Sequence, residues 1–584
     1  MSPGKRVRAI VLLMSGAFLV ACASPIKEKR AEFDRKVTTL THRGFVLERN
    51  ESTEERGRYL LRLKEPKEVA GFLIRSATGS GDPELKERLT KALLGMGLEL
   101  DVTWSAYAEG KPASVEAYLL PAEKNATGEL ARLMRQRKIA ADLDFDAKGS
   151  LKKIALRPLD ETLAKGEKRG RLVVKETLLK VERAGEKPFD LAYRFESGLL
   201  RLQLQEDANQ SVEIRSEGLD CRSDTSDAYF GTRECALREF VLETDEGKVG
   251  GRSRLVLSDV QGSSRVYEAN GTVRSDAEGR IAAVTIRGDD GAERIDFEMK
   301  DIRLAGEGGW IDPALYRRFV DLLSDTPDTP EAALRKLGPA LSEFFRRLLL
   351  GYRIEIATVR GELLTQKSGE KTMLELGGLS LGTEWRLDRE INVSERIAVQ
   401  RFELNQSRAD KTLIGARLKS FDLDIGITRL YNFMPELMAL AVRSVGKTSS
   451  TARKEAEKEA EELGKKVLRH GVTLKVDPVK FASLGLQDPS MQAFLGAMEI
   501  RLRVTLAPNS LDPANPMAPM LALAYLQAEG RAELLRKDLK QILPLLDPGV
   551  QMMVAHFVRY EGEKALFDLR FEQGSLLING KPLQ

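Results

Sequence analysis

The chain of 584 residues carries few side chains able to do chemistry, and they are scattered: three cysteines and three histidines in all. Cys221 and Cys235 bracket "CRSDTSDAYFGTREC", a polar stretch with one glycine. A thioredoxin-type redox pair needs CxxC spacing, and a metal site needs further ligands close by; neither surrounds these two. In an exported protein such a pair forms a structural disulfide. It would close a loop of about 15 residues, worth roughly 3 kcal/mol in the chain-entropy model. His470 precedes Gly471 at an expected helix end, where an imidazole satisfies orphan carbonyls. His556 lies among apolar residues of an expected helix and reads as a core or partly buried side chain. His42 reads as an exposed turn residue. "DLDFD" repeats carboxylates at Asp142, Asp144 and Asp146, yet an EF-hand loop needs glycine at its sixth position and glutamate at its twelfth. Ala147 and Lys153 stand there instead, so the three aspartates are expected on the wet face of a strand whose other face carries Leu143 and Phe145. No HExxH, GxSxG or P-loop pattern occurs, and "TGSGD" (78–82) and "GEGGW" (306–310) read as turns. No catalytic, cofactor or metal residue is assigned. With 88 acidic residues, carboxylate pairs are always on offer, so an envelope hydrolase of unrecognised type stays open as an alternative.

The third cysteine, Cys22, ends the run Leu19-Val20-Ala21-Cys22. Lys5, Arg6 and Arg8 come first, then a run of fifteen mostly apolar residues from Ala9 to Ala23 that contains Cys22 near its end. A membrane-spanning helix needs about 20, so the segment fits a secretory signal better. The four residues resemble the bacterial lipobox, in which the leader is cut just before a cysteine whose thiol takes a diacylglycerol. Residues 1–21 are therefore expected to be a lipoprotein signal peptide, with a lipid on Cys22 tying the protein to a membrane; a short uncleaved anchor is the alternative. Ala23, where aspartate would mark inner-membrane retention, points to the outer membrane and a periplasm-facing location. Losing three basic residues takes the formal charge from +4 to +1. Without a concentrated basic surface, no nucleic-acid partner is expected.

The elements that position these residues follow from patterning. Charged residues at 31% and hydrophobic ones at 42% describe an ordinary globular chain, and the length suggests several domains. These are an N-terminal α+β unit (22–165), a mainly β unit with the disulfide hairpin (166–305) and two α+β repeat units (306–445 and 446–584). Period-two alternation marks strands in "KALFDLRFE", "ADLDFDAKG", "RLQLQED" and "SFDLDIGI". Turn signals lie at 146–149, 289–291, 270–271 and 579–580. Helices are expected after Asp312-Pro313 and Thr329-Pro330, with an apolar stripe running on through Leu348 and Leu349, and again within 430–445 and 452–469. The last is a charged rod with a narrow apolar seam. "ALLGMGLELDVTW", "LLLGYRIEIATV" and "VLRHGVTLKVDPV" suggest a repeated unit in which a helix ends at Gly95, Gly351 or Gly471 and a strand begins. The fold class expected is α+β: elongated, with long antiparallel sheets, amphipathic helices packed on one face, and repeated helix-to-strand units.

Two stretches of the second half, "LRHGVTLKVDPV" and "FEQGSLLINGKPL" (571–583), resemble the YdgA-like family of bacterial envelope proteins of unknown function. The resemblance covers about Ile311 to Gln584. It rests on structural turns and implies an envelope location but no enzyme activity; the lipobox departs from the family's usual N-terminal anchor helix. The leading expectation is a non-enzymatic, lipid-anchored scaffold or interaction module with an envelope protein as partner. The alternative is binding or transfer of a lipid acyl chain in an apolar β groove. What separates the two is whether the helices fill the apolar sheet face.

Overall fold

The computed structural model describes residues 45–53, 55–67, 93–104, 112–121, 129–145 and 151–583, the last with breaks at 166–167, 185–190, 206–209, 226–228, 248–250, 325–329, 410, 446–449, 488–491, 513–514 and 573, plus isolated positions before residue 92. The signal segment, Cys22, His42, Asp146 and the 78–82 and 146–149 turns lie outside the described residues. The chain divides into two compact units at Val266/Tyr267.

The first unit contains β1–β7 (Phe45–Ser52, Arg56–Leu63, Gly97–Trp104, Pro112–Leu120, Ala140–Phe145, Leu151–Leu156, Leu159–Lys165) and the short helix α1 (Glu129–Arg135). Longer strands follow: β8 (Lys168–Ala184), β9 (Leu191–Gln205), β10 (Ser211–Thr225), β11 (Gly231–Asp245) and β12 (Arg252–Ala269). Successive strands pair antiparallel, and β8 takes both β6 and β7 on one edge. In β2 burial alternates residue by residue, with Tyr59, Leu61 and Leu63 inward, as period two requires. These side chains join Val102, Val115, Leu133, Met134 and Leu179 in one buried apolar cluster.

The second unit begins with β13 (Thr272–Asp289) and β14 (Glu293–Ile311), then α2 (Pro313–Ser324) and α3 (Pro330–Phe344). Next come β15 (Leu348–Thr365), β16 (Glu370–Leu387), β17 (Glu390–Arg408) and β18 (Lys411–Tyr431), then α4 (Met434–Ser444) and α5 (Ser450–His470). It ends with β19 (Val472–Phe481), β20 (Ser483–Gln487), β21 (Gln492–Leu495), β22 (Met498–Leu506), α6 (Ala518–Ala522), β23 (Leu526–Leu535), α7 (Arg536–Ile542), α8 (Pro548–Phe557), β24 (Arg559–Glu561), β25 (Lys564–Glu572), β26 (Ser575–Ile578) and β27 (Lys581–Pro582). Turn chemistry joins the strands where expected. Asn270-Gly271 and Asn579-Gly580 both have two positive φ values, the backbone of a type I′ hairpin turn. Asp289 and Asp290 accept hydrogen bonds from the amides of Gly291 and Ala292.

The α+β expectation, with helices packed on one face of a sheet, is overturned. Strand makes up 66% of the described residues and helix 20%, in a mostly antiparallel β fold. The amphipathic stripes of α2–α5 are spent chiefly on one another at the ends of the strands. A Cβ on Gly338 would lie 2.1 Å from Val442 Cγ2, so α3 and α4 touch backbone to side chain. Ser342 donates to the Pro435 carbonyl at 2.8 Å, and the Phe319 and Phe344 rings sit 5.1 Å apart. The Asn432 amide ties the group to the strand ends by donating to the carbonyls of Phe345 and Asp388. The expected stripe through Leu348 and Leu349 is also corrected: α3 stops at Phe344 and both leucines open β15. Of the three supposed helix-ending glycines, Gly95 and Gly471 are left-handed, whereas Gly351 lies inside β15 beneath the Glu307 side chain. The proposed three-fold unit therefore fails at its middle member.

A different repeat is present. A residue with positive φ interrupts every second long strand near its middle: Glu176, Gly218 and Asp259 in the first unit, and Asp301, Gly378 and Ser420 in the second; β14 and β18 carry a further one near their ends, Trp310 and Arg429. Glu176, Gly218 and Asp259 are 42 and 41 residues apart and Gly378 and Ser420 are 42 apart, the length of one hairpin, whereas α2 and α3 intervene between Asp301 and Gly378, 77 residues apart. At each mid-strand residue, the ladder misses one pair and then resumes in unchanged register. Space is made by omitting a side chain. A Cβ on Gly198 would lie 2.7 Å from Glu176 Oε2, and one on Gly378 would lie 2.5 Å from Gln400 Cγ and Cδ.

Candidate functional site: an uncovered apolar sheet face

The positive-φ rows reset side-chain alternation. In β8, Leu172 and Val174 precede Glu176 at even positions, while Leu179 and Val181 follow at odd ones; all four belong to the same buried cluster. The left-handed residue thus keeps the apolar side chains on one face although their parity changes. The same change occurs in the second unit, where Phe297 and Met299 give way to Ile302 and Leu304 across Asp301.

Register then lines these positions up across β13–β18. One row reads Val284, Met299, Val359, Leu376, Phe402, Leu418; the next reads Ile281, Ile302, Ile356, Leu379, Val399, Phe421; a third reads Gly279, Leu304, Ile354, Leu381, Ile397, Leu423. No side chain in the three rows carries nitrogen or oxygen. Five inter-strand steps span about 24 Å. Beyond β18 the face continues through Val476 and Leu474 of β19 to Leu502 and Val504 of β22. No cluster like that of the first unit encloses it among the described residues. Ile295, Leu304, Leu350, Tyr352, Trp385 and Ile397 are 37–57% exposed, Val284, Ile302 and Val359 are buried, and most other members are half-buried.

The opposite face is charged and self-neutralised. Arg287 pairs with Asp296 at 3.4 Å, Arg360 with Glu375 at 3.7 Å, and Arg401 with Glu403 at 3.0 Å. A groove of about 1060 Å³ lies among these side chains. Arg401 holds the Glu403 carboxyl below the usual range by hydrogen bonding. Lys475 at 2.8 Å does the same for Asp477, and Lys564 at 2.9 Å for Glu533.

The residues singled out in the sequence are dispersed around these faces. Cys221 and Cys235 stand opposite each other in β10 and β11 and are disulfide-bonded. His470 closes α5, with Nε2 3.1 Å from Glu390 Oε1 and its ring 5.7 Å from Tyr431. His556 is exposed on α8, with its ring edge against Phe557; the expected core placement is corrected, because the buried position of that turn is Phe557. Asp142 accepts from Arg157 at 2.7 Å, and Asp144 is exposed beside buried Leu143. Among the described residues, no group of three His, Cys, Asp or Glu is placed to hold a metal, and no helix is long and apolar enough to cross a membrane.

The apolar rows escaped the sequence reading, although their signal was there. Each strand's alternation changes phase once, near its middle, so a single period-two template breaks at Asp301, Gly378 and Ser420. No protein-family model matches the sequence, and no curated protein is similar enough to it to count as a relative.

Proposed function

We propose that this protein is a lipid-anchored component of the bacterial envelope that holds a lipid acyl chain against the apolar face of β13–β18. The observation that carries the reading is the composition of the three central rows: no side chain in them carries nitrogen or oxygen, and while Val284, Ile302 and Val359 are buried, Leu304 and Ile397 are exposed and the others half-buried. A protein partner would find no hydrogen-bonding side chain in those rows, with Tyr352 and Trp385 only beside them, whereas protein interfaces make about one hydrogen bond per 100–200 Å². An acyl chain asks for none. One bilayer leaflet is about 15 Å of hydrocarbon, so rows of about 24 Å have room for a whole tail. Burying ten methylenes contributes about 8 kcal/mol. In this reading the chain is exported, Cys22 carries the diacylglycerol, and residues 311–584 belong with the YdgA-like proteins, on the strength of the Gly471 and Asn579-Gly580 turns.

The test is organic extraction of the purified full-length protein followed by mass spectrometry, with binding of a pyrene-labelled phospholipid measured alongside. Lipid beyond the Cys22 modification is expected in the native protein. Leu379→Asp with Leu381→Asp is expected to reduce pyrene-lipid binding at least tenfold, while Arg360→Gln on the charged face leaves it unchanged. Equal binding by all three proteins would refute the reading, and so would a lipid-free native protein that instead crosslinks to another envelope protein through this face.

A further inference from the structure

We infer that the loop joining β22 to β23 is a membrane-contacting tip, inserted into the headgroup–acyl boundary of a bilayer. The inference rests on the acyl-chain reading above and names where that chain would enter. From Pro513 to Ala528 the sequence "PANPMAPMLALAYLQA" contains no charged residue. Met517, Met520, Leu521 and Leu523 are 45–63% exposed, more exposed large apolar side chains than any other seven-residue stretch holds among the described residues.

The loop's base is firmly held, so these side chains are presented on a fixed platform. The amide of Ala507 donates to the Tyr525 carbonyl at 2.9 Å, closing the loop. Asn509 donates from its side chain to the carbonyls of Leu468 and Ala507, and from its backbone to Arg469, fastening it to the end of α5. Arg469 reaches the carbonyl of Leu511, whose own side chain is buried. Asn515 accepts from the amide of Met517, setting up the turn that raises Met517 and Met520.

Two observations select a lipid surface as the occupant. The first is continuity. The strands that carry the loop also carry the end of the apolar face, in the register Leu474, Val504, Ala528, Phe571, so a tail leaving a bilayer at the loop meets hydrocarbon at its base. The second is charge. The nearest ionised groups answer one another, with Lys465 bonded to Glu461 and Glu462 and 3.7 Å from Asp512. With no Lys or Arg from Ala507 to Ala528, contact relies on apolar burial rather than attraction to anionic lipid. Flexible, uncharged Met and Leu suit an interior of variable shape.

The experiment places an environment-sensitive NBD label at Met520→Cys in the full-length protein and adds phosphatidylcholine vesicles. Expected are a blue shift, a severalfold rise in emission, quenching by doxyl-labelled acyl chains, and little change in 0.5 M salt. The double variant Met520→Asp, Leu521→Asp is expected to slow phospholipid delivery from vesicles at least fivefold, while equilibrium binding of pyrene-lipid presented in micelles stays at the native level. If the label stays water-exposed and the double variant picks up lipid from vesicles normally, the inference fails and the acyl-chain reading stands. If the label rises with protein concentration before vesicles are added, the loop is a self-association surface and the inference also fails. Loss of micelle binding in Leu379→Asp, with label insertion intact, keeps the two claims separate.

Discussion

The face of β8 and β9 and the face of β13–β18 share one design and meet different fates. Both consist of long antiparallel strands of which every second one is interrupted near its middle by a left-handed residue, and both keep their apolar side chains on one side through that break. In the first unit, Leu172, Val174, Leu179 and Val181 are buried against side chains from β1–β6 and α1. In the second, most of the corresponding rows are half-buried or exposed, with Val284, Ile302 and Val359 buried, and α2–α5 bundle chiefly with one another. Alternation alone says that a face is apolar; it does not say what will cover it. A face covered by its own chain serves stability, and one left open is available to a ligand.

That contrast can be broken most directly by truncation. Leu61→Ala, in the first unit's cluster, leaves an enclosed cavity and is expected to cost about 2–5 kcal/mol. Leu381→Ala in the open rows leaves no enclosed cavity, so only the area term applies, about 1 kcal/mol or less. Denaturant unfolding of the two variants checks this, and equal losses would mean that the second face is covered after all.

The left-handed rows sharpen the comparison at smaller amplitude. Gly378 has φ +60°, and a Cβ there would meet Gln400 at 2.5 Å, so Gly378→Ala should cost about 1–3 kcal/mol. Ser420 stands in the same backbone region with φ 55° and an exposed side chain. Ser420→Gly should relieve that strain and raise stability by up to about 1 kcal/mol. Thermal melts should therefore move in opposite directions. Two shifts of the same sign would show that the row does not work as a conformational unit.

The smallest effect expected is on pH dependence. Glu403, Asp477 and Glu533 have folded-state pKa values lowered by their basic partners. Their contribution is therefore complete above the unfolded carboxylate range, near pH 4, and is lost as pH falls through the lower folded values. All three pairs are exposed enough to be screened, so the change is slight. Stability of the second unit should stay flat from pH 8 to 5 and decline below about pH 4; a decline already at pH 6 would point to other groups.

Much of the scaffold was legible locally. Asn270-Gly271 and Asn579-Gly580 announced their turns, Pro313 and Pro330 marked helix starts, and the spacing of Cys221 and Cys235 suited a disulfide. Each is settled by a few neighbouring residues. The hairpin repeat was hidden, because a phase change at Asp301 or Ser420 makes one strand look like two fragments. An uncovered apolar face was legible only as an alternative, since an amphipathic stripe on α3 states that something must be buried and leaves the partner unnamed.

By itself, then, the sequence determined that long strands with one apolar and one charged side would form, because backbone geometry makes period two a local property. Only the tertiary structure decided which of those apolar sides would be sealed. That depends on whether distant segments, such as α3 and α4 meeting at Gly338 and Val442, find each other before they find the sheet.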